Sequence, residues 1–155
     1  MAAQAEVVRR GNEGFVSKHQ LMIAVAPAEV WRAMTQGVSR WWDPAHTISG
    51  DAENLLMQTK VGGCFCEKLP AGKFEHLRII VSQENQELRL RGGLGPLQSM
   101  GAAGTMSIRL TAIGESTRLD YKYAVSGTGD QAIAEAVDQV QLDQLKRLQQ
   151  YVEKN

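Results

Sequence analysis

The C-terminal segment from residue 130 to residue 154 constrains the fold of this chain most strongly. It contains neither glycine nor proline over about 25 residues, so no helix-breaking residue interrupts it. Thr128 and Gln131 fit a capping box at its start. Helical spacing places one apolar stripe along it, formed by Ile133, Val137, Val140, Leu148 and Tyr151. The segment predicts a long amphipathic helix that must bury this stripe against another layer.

The segments before this helix alternate apolar and polar residues, as strands do. They span residues 15–25, 55–61, 63–69, 74–83, 87–91, 105–113 and 117–125. Two short helices are predicted after the first strand, one opened by Pro27 and stopped by Gly37, the other over residues 38–42. Strands followed by a helix indicate an α+β fold. We therefore expect a curved antiparallel sheet of about seven strands with the long C-terminal helix lying across it.

Length and charge bound the possible functions. The 155 residues suffice for one domain, so we expect a flexible N-terminal segment over residues 1–14 and a single domain over residues 15–155. Seventeen basic and seventeen acidic side chains cancel, which argues against a nucleic-acid partner. No apolar run reaches the roughly 20 residues that span a bilayer, so we expect no membrane insertion. The oligomeric state stays open.

The first residues bear on cellular location. Ala3-Gln4-Ala5 has the small-residue pattern at which signal peptides are cut, although no basic or apolar region of such a peptide precedes it. Two alternatives follow: a periplasmic protein whose leader has been removed, and a cytoplasmic protein with an alanine-rich start.

Several motifs resemble a known superfamily. Ala-Pro-Ala-Glu-Val-Trp at residues 26–31, the adjacent tryptophans at residues 41 and 42, and the element order resemble the SRPBCC or START-like superfamily with the helix-grip fold, over residues 15–153. It includes the birch-pollen allergen, polyketide cyclases and the activator of the heat-shock chaperone ATPase. Residues 40–47 and 62–67 are similar to a bacterial cyclase/dehydrase-like subgroup that is often made with an export leader. The resemblance implies a cavity between sheet and helix and favours the periplasm.

The hairpin over residues 63–83 decides which side chains face this cavity. A two-residue turn at Ala71-Gly72 pairs Glu67 with His76. Glu67 and His76 then form a solvated surface pair. In this register one face is inner and the other is outer: Cys64, Cys66, Leu77, Ile79 and Val81 lie inside, whereas Phe65, Glu67, His76 and Arg78 lie outside.

The candidate ligand-binding residues follow from this layout. Gln141 and Gln144 fall on the buried stripe, where their amides either bind the polar end of a ligand or reach backbone groups and internal water. Tyr121 and Tyr123 are core residues whose hydroxyls contact a ligand only if the cavity stays open. Of the two adjacent tryptophans, one is expected to pack in the core and the other to line the cavity mouth. The full set is Trp41, Trp42, His46, Cys64, Cys66, Leu97, Met100, Tyr121, Tyr123, Gln141 and Gln144.

His46 is the weak catalytic candidate of this set. A histidine in a loop can transfer a proton, but hydrogen bonding to Asp43 or Asp51 is the commoner arrangement. Residues 92–104 contain Leu97 and Met100 in a glycine-rich loop, which is either a lid over the cavity or a loop packed in place.

The two cysteines are separated by one residue. Alternate residues of a strand lie about 6.6 Å apart, near the outer limit for a disulfide. We expect Cys64 and Cys66 to be thiols that pack as small apolar groups. Their spacing does not match a structural zinc site, so neither a metal nor another cofactor is predicted.

Three functions remain. The first is binding of a small hydrophobic or aromatic molecule in the internal cavity between the sheet and the C-terminal helix. The second is a cyclase- or dehydratase-type enzyme in which His46 or a tyrosine transfers a proton in the same cavity. The third, by analogy with the ATPase activator, is a chaperone-binding module that acts through its surface.

Overall fold

The computed structural model describes residues 4–9 and 13–154. The strands are β1 (Gln4–Arg9), β2 (Gly14–Ile23), β3 (Leu55–Met57), β4 (Cys64–Leu69), β5 (Gly72–Gln83), β6 (Glu87–Gly92), β7 (Ala103–Ile113) and β8 (Ser116–Ser126). The helices are α1 (Pro27–Thr35), α2 (Val38–Trp41), α3 (Pro96–Ser99) and α4 (Gln131–Lys154), and two 3-10 turns span Pro44–His46 and Ala52–Asn54.

The described strands form one antiparallel sheet in the order β1-β2-β8-β7-β6-β5-β4-β3. Helix α4 packs against β1 and β2 and against α1 and α2. The apolar core lies between this sheet and the helices. The predicted α+β helix-grip architecture is therefore confirmed. Within the part of the chain that the structure describes, no helix is both long and apolar enough to cross a bilayer.

The eighth strand comes from the segment that was predicted to be flexible. Residues 4–9 form β1, which pairs with β2 from Gln4 opposite Gln20 to Arg9 opposite Phe15. Val7 is half-buried and packs against the core. Six residues offer too few alternating positions to identify an edge strand from sequence. Residue 3 of the predicted cleavage motif lies outside the described residues.

The cap of α4 differs from the predicted capping box. The Asp130 carboxylate accepts a hydrogen bond from the Ile133 amide at 3.0 Å. The Thr128 hydroxyl accepts only from the Asp130 amide, at 3.3 Å. Asp130 therefore caps the helix, because the first helical residue is Gln131 rather than Asp130.

The predicted register of the β4–β5 hairpin is wrong. The turn is Pro70-Ala71, since Leu69 pairs with Gly72 and Glu67 pairs with Phe74. A register shift between Phe65 and Cys66 then pairs Phe65 with Leu77, so β5 has one extra residue, His76, at this point. This bulge places two successive residues of β5, His76 and Leu77, in buried positions.

Five residues of the hairpin differ in burial from the prediction. Phe65, Glu67 and His76 are buried although they were assigned to the outer face, while Arg78 is exposed as expected. Cys64 and Val81, assigned to the inner face, are only half-buried. A buried carboxylate and a buried imidazole thus enter the interior at one end of the sheet.

Candidate ligand pocket

A pocket of about 390 Å³ opens between the first half of α4, the loop of residues 42–48 and the turn of residues 94–96. We call it the mouth pocket. Its wall is mostly apolar: Trp42, His46, Thr47, Ile48, His76, Leu94, Gly95, Pro96, Ala132, Ile133, Ala136, Val137, Val140 and Gln141 line it. Small side chains at Ala132 and Ala136 leave this end of α4 unable to fill the space.

The interior between sheet and helix is almost completely packed. A cavity of about 40 Å³ remains there, which holds about one water molecule. It shares Trp42, Leu94 and Gln141 with the wall of the mouth pocket. Space for a larger molecule therefore lies in the mouth pocket and not in the interior between the sheet and α4.

Glu67 and His76 form a buried pair beside the mouth pocket. His76 Nε2 lies 2.9 Å from Glu67 Oε1, and the Glu67 side chain has no exposed surface. The Glu67 carboxylate also accepts hydrogen bonds from the backbone amides of Ile48, at 3.0 Å, and of Ser49. Burial raises the pKa of Glu67, but the hydrogen bonds from Ser49, Ile48 and His76 outweigh burial and leave its pKa below the ordinary value.

The ring of His76 is held by its neighbours as well as by Glu67. Its centroid lies 5.2 Å from that of Phe65 and 4.9 Å from that of Phe74. Only 8% of the His76 side chain is exposed. His76 Nδ1 has no hydrogen-bond partner within the described ranges. That nitrogen is the one left for a bound molecule.

His46 lies on the rim of the mouth pocket and is exposed. The expected hydrogen bond to an aspartate is not formed: Asp43 accepts from the Ala45 amide, and Asp51 accepts from the Glu53 amide, both at 2.9 Å. These carboxylates cap the two 3-10 turns instead. The His46 ring has no hydrogen-bond partner among residues 4–9 and 13–154.

Gln141 and Gln144 of α4 are both buried but have different surroundings. Gln141 lines both the mouth pocket and the inner cavity, and its amide has no hydrogen-bond partner in the described part of the chain. Gln144 lines only the inner cavity, where its Oε1 accepts from the Asp43 amide at 3.1 Å. Gln144 Nε2 is buried and has no hydrogen-bond partner among the described residues. Gln141 is therefore the amide that a molecule in the mouth pocket can reach.

The two tyrosines are also distinguished by their hydroxyls. Tyr123 donates to the Gly92 carbonyl at 2.6 Å and accepts from the Leu94 amide at 3.2 Å. Burial raises the pKa of Tyr123 to about 12 despite the opposing effect of the Leu94 hydrogen bond. Tyr121 lines the inner cavity; burial raises its pKa well above the ordinary value, and its hydroxyl has no partner among the residues that the structure describes. Neither residue lines the mouth pocket.

The two adjacent tryptophans have different surroundings. Trp41 is buried, and its Nε1 donates to the Ala33 carbonyl at 2.8 Å. Trp42 is half-buried, lines the mouth pocket and donates to the His46 carbonyl at 3.1 Å. Trp42 therefore joins the wall of the pocket to its rim.

The glycine-rich loop contributes other residues than those predicted. Leu97 is fully buried in the core, and Met100 is 45% exposed and does not line the pocket. Leu94, Gly95 and Pro96 form this side of the rim. The Tyr123 hydroxyl holds the start of the loop against the sheet through its hydrogen bonds to Gly92 and Leu94. At this end the loop is packed in place and does not form a lid.

The cysteines form a disulfide, which corrects the expectation of two free thiols. The irregularity at Phe65/Cys66 brings their Cα atoms to 5.4 Å, within the range that a disulfide spans. Neither cysteine lines the mouth pocket or the inner cavity. In the described ranges, no group of three or more histidine, cysteine or acidic side chains is arranged to hold a metal ion.

A second buried polar cluster was missed by sequence reasoning. The Asp138 carboxylate accepts from the Ser17 hydroxyl at 2.5 Å and lies 2.9 Å from His19 Nε2. Burial lowers the pKa of His19, outweighing the opposing effect of Asp138. Serine and carboxylate both contact Nε2, so the imidazole does not relay a proton between them. The cluster connects β2 with α4.

Comparison with known proteins identifies the fold. No protein-family model matches the chain, and no curated protein matches it. An uncharacterised protein from Rhizobium leguminosarum matches with a TM-score of 0.72, 16% identity and coverage of 100% of both chains. CalU16 from Micromonospora echinospora matches at 0.61 and 16%, covering 98% of this chain and 84% of its own. The Aha1 dimer from Colwellia psychrerythraea matches at 0.61 and 14%, covering 88% and 94%. These likenesses show the fold alone.

Proposed function

We propose that this protein binds a small hydrophobic or aromatic molecule in the mouth pocket. The observation that carries the proposal is an apolar space of about 390 Å³ whose wall contains only a few polar groups, Gln141 and His76 among them. Small-molecule sites typically have volumes of about 300–1,000 Å³ and this kind of wall. The site replaces the internal cavity expected from the sequence, because the interior has room for little more than water.

A filled pocket provides the test. Ala136 is exposed and lines the pocket, so Ala136→Trp should place an indole in the space without displacing core atoms. Ala28→Trp, at an exposed position of α1 away from the pocket, is the matched control. We expect native mass spectrometry and titration with one- and two-ring aromatic compounds to show binding to the wild type and control, weakened at least about tenfold in Ala136→Trp. Equal binding by all three proteins would place the ligand elsewhere.

The SRPBCC or START-like superfamily is the proposed affiliation of the chain. The motifs at residues 26–31 and 40–47 support it, as does the fold shared with CalU16 and Aha1. The support for a chaperone-binding function is fold similarity alone.

We also propose a periplasmic location. The Cys64–Cys66 disulfide supports it, because disulfides persist mainly in oxidising compartments. Fractionation of the source cells, followed by thiol labelling under denaturing conditions, tests the proposal. A cytoplasmic protein with two labelled thiols would refute it.

A further inference from the structure

The two ring nitrogens of His76 have different chemical states. Glu67 is a carboxylate that already accepts two backbone amides, so its contact with His76 Nε2 requires a proton on that nitrogen. In the neutral imidazole, Nδ1 then carries the lone pair. Nδ1 has no partner among the described residues, and His76 lines the mouth pocket. The pocket wall therefore offers a hydrogen-bond acceptor that can take up a proton.

The carboxylate behind the ring strengthens this acceptor. A proton that arrives at Nδ1 creates an imidazolium 2.9 Å from a buried carboxylate, and the pair stabilises that cation. The lowered pKa of Glu67 is consistent with a group that stays ionised. On the opposite side of β5, Glu75 and Arg78 are exposed and pair with each other. Among the described residues that line the pocket, the titratable groups are His46 and His76.

These surroundings discriminate between ligand classes. A permanent anion would bring a second negative charge towards Glu67, and a cation would find no exposed carboxylate because Glu67 is fully buried. A purely apolar molecule would cover Nδ1 without pairing it, which costs free energy. An aromatic molecule with a weakly acidic hydroxyl satisfies both the apolar wall and Nδ1.

We propose that the Glu67–His76 pair makes the mouth pocket selective for phenol-like aromatic molecules, with His76 Nδ1 accepting the hydroxyl proton. In this step the O–H bond of the ligand breaks, its electron pair stays on oxygen, and the proton forms an N–H bond with Nδ1. The total charge of ligand, His76 and Glu67 is unchanged. The Gln141 amide, on the same wall, is free to donate to the oxygen. This inference rests on the proposed function of the pocket.

The test uses 4-nitrophenol, whose ionised form absorbs visible light, and 4-nitroanisole, which has the same ring and no hydroxyl. Both are titrated into the wild type, and the absorbance of bound 4-nitrophenol is followed against pH. We expect the pKa of the bound phenol to fall by about one unit relative to the free compound. In His76→Phe we expect it to rise above the free value, because an apolar pocket without a proton acceptor disfavours the anion. 4-Nitroanisole should bind to both proteins.

Matched variants separate the alternatives. Glu67→Gln should reduce the shift, whereas Glu75→Gln, on the exposed face of the neighbouring strand, should retain it. Loss of the shift in His46→Phe with retention in His76→Phe would overturn the assignment of the acceptor. An unshifted phenol that still binds would overturn proton transfer to His76 while leaving the proposed pocket intact. If neither compound binds up to millimolar concentration, the proposed function fails together with this inference. Circular dichroism of each variant establishes that it is folded.

Discussion

Replacing Glu67 with glutamine removes a buried charge while it keeps the shape of the side chain. The carboxylate accepts from two backbone amides and pairs with His76. A hydrogen bond to a charged group stabilises by about 1.5–3 kcal/mol and one to a neutral group by about 0.5–1.5 kcal/mol, so losing the charge costs about 1 kcal/mol for each bond. We expect Glu67→Gln to lower the free energy of unfolding by about 3 kcal/mol at pH 7.

The pH dependence gives a second signature of the same group. The folded pKa of Glu67 lies below the ordinary value of 4.5. Its contribution to stability is therefore complete above pH 4.5 and is lost as the pH falls through the folded pKa. The difference between wild type and Glu67→Gln should accordingly shrink on acidification.

Urea unfolding monitored by tryptophan fluorescence at pH 7 and at acidic pH measures both effects. Glu75→Gln is the control, because its ion pair with Arg78 is exposed and contributes less than about 1 kcal/mol. A loss below about 0.5 kcal/mol in Glu67→Gln, or a loss that does not change with pH, would refute this account of the carboxylate.

Three further predictions use paired substitutions. Tyr123→Phe should destabilise the fold by about 1–2 kcal/mol, because the Tyr123 hydroxyl makes two hydrogen bonds. Tyr121→Phe should change stability by less than about 1 kcal/mol, because the Tyr121 hydroxyl has no partner among the described residues. Thermal unfolding of the two variants measures the difference. Gln141→Leu should weaken binding of 4-nitrophenol about tenfold and Gln144→Leu should leave it unchanged, since only Gln141 lines the mouth pocket; calorimetric titration decides. Replacing both cysteines with serine should lower stability by about 1.6 kcal/mol, as expected for a three-residue loop, and leave aromatic binding unchanged.

The elements that the sequence predicted well are those with long, regular periodicity. The hairpin of β7 and β8 extends over 11 residues in each strand, and both strands alternate in burial for most of their length. Helix α4 continues for 24 residues without a breaker. Many consistent positions support one assignment in each case, and an error at one of them changes little.

The candidate site was predicted less well because it depends on one extra residue. Because β5 bulges at His76, Phe65 and Glu67 are buried against the prediction while Leu77 and Ile79 are buried as predicted, and no count of alternation reveals this in advance. The wall residues Val137 and Val140 could be found from the helical stripe, and Trp42 from its motif. The volume of the pocket could not be found from the sequence, because it depends on the distance of Ala132 and Ala136 from residues 94–96.

Glu67 has two structural roles that different residues usually perform. It accepts hydrogen bonds from the backbone amides of Ser49 and of Ile48, which lines the mouth pocket, and it sets the orientation of His76 in the wall. Any substitution of Glu67 therefore changes both the rim of the mouth pocket and the proton-accepting histidine in its wall. A descendant of this protein with a new ligand would keep Glu67 and change at Ala132 and Ala136 of α4, whose exposed side chains alter the shape of the pocket alone.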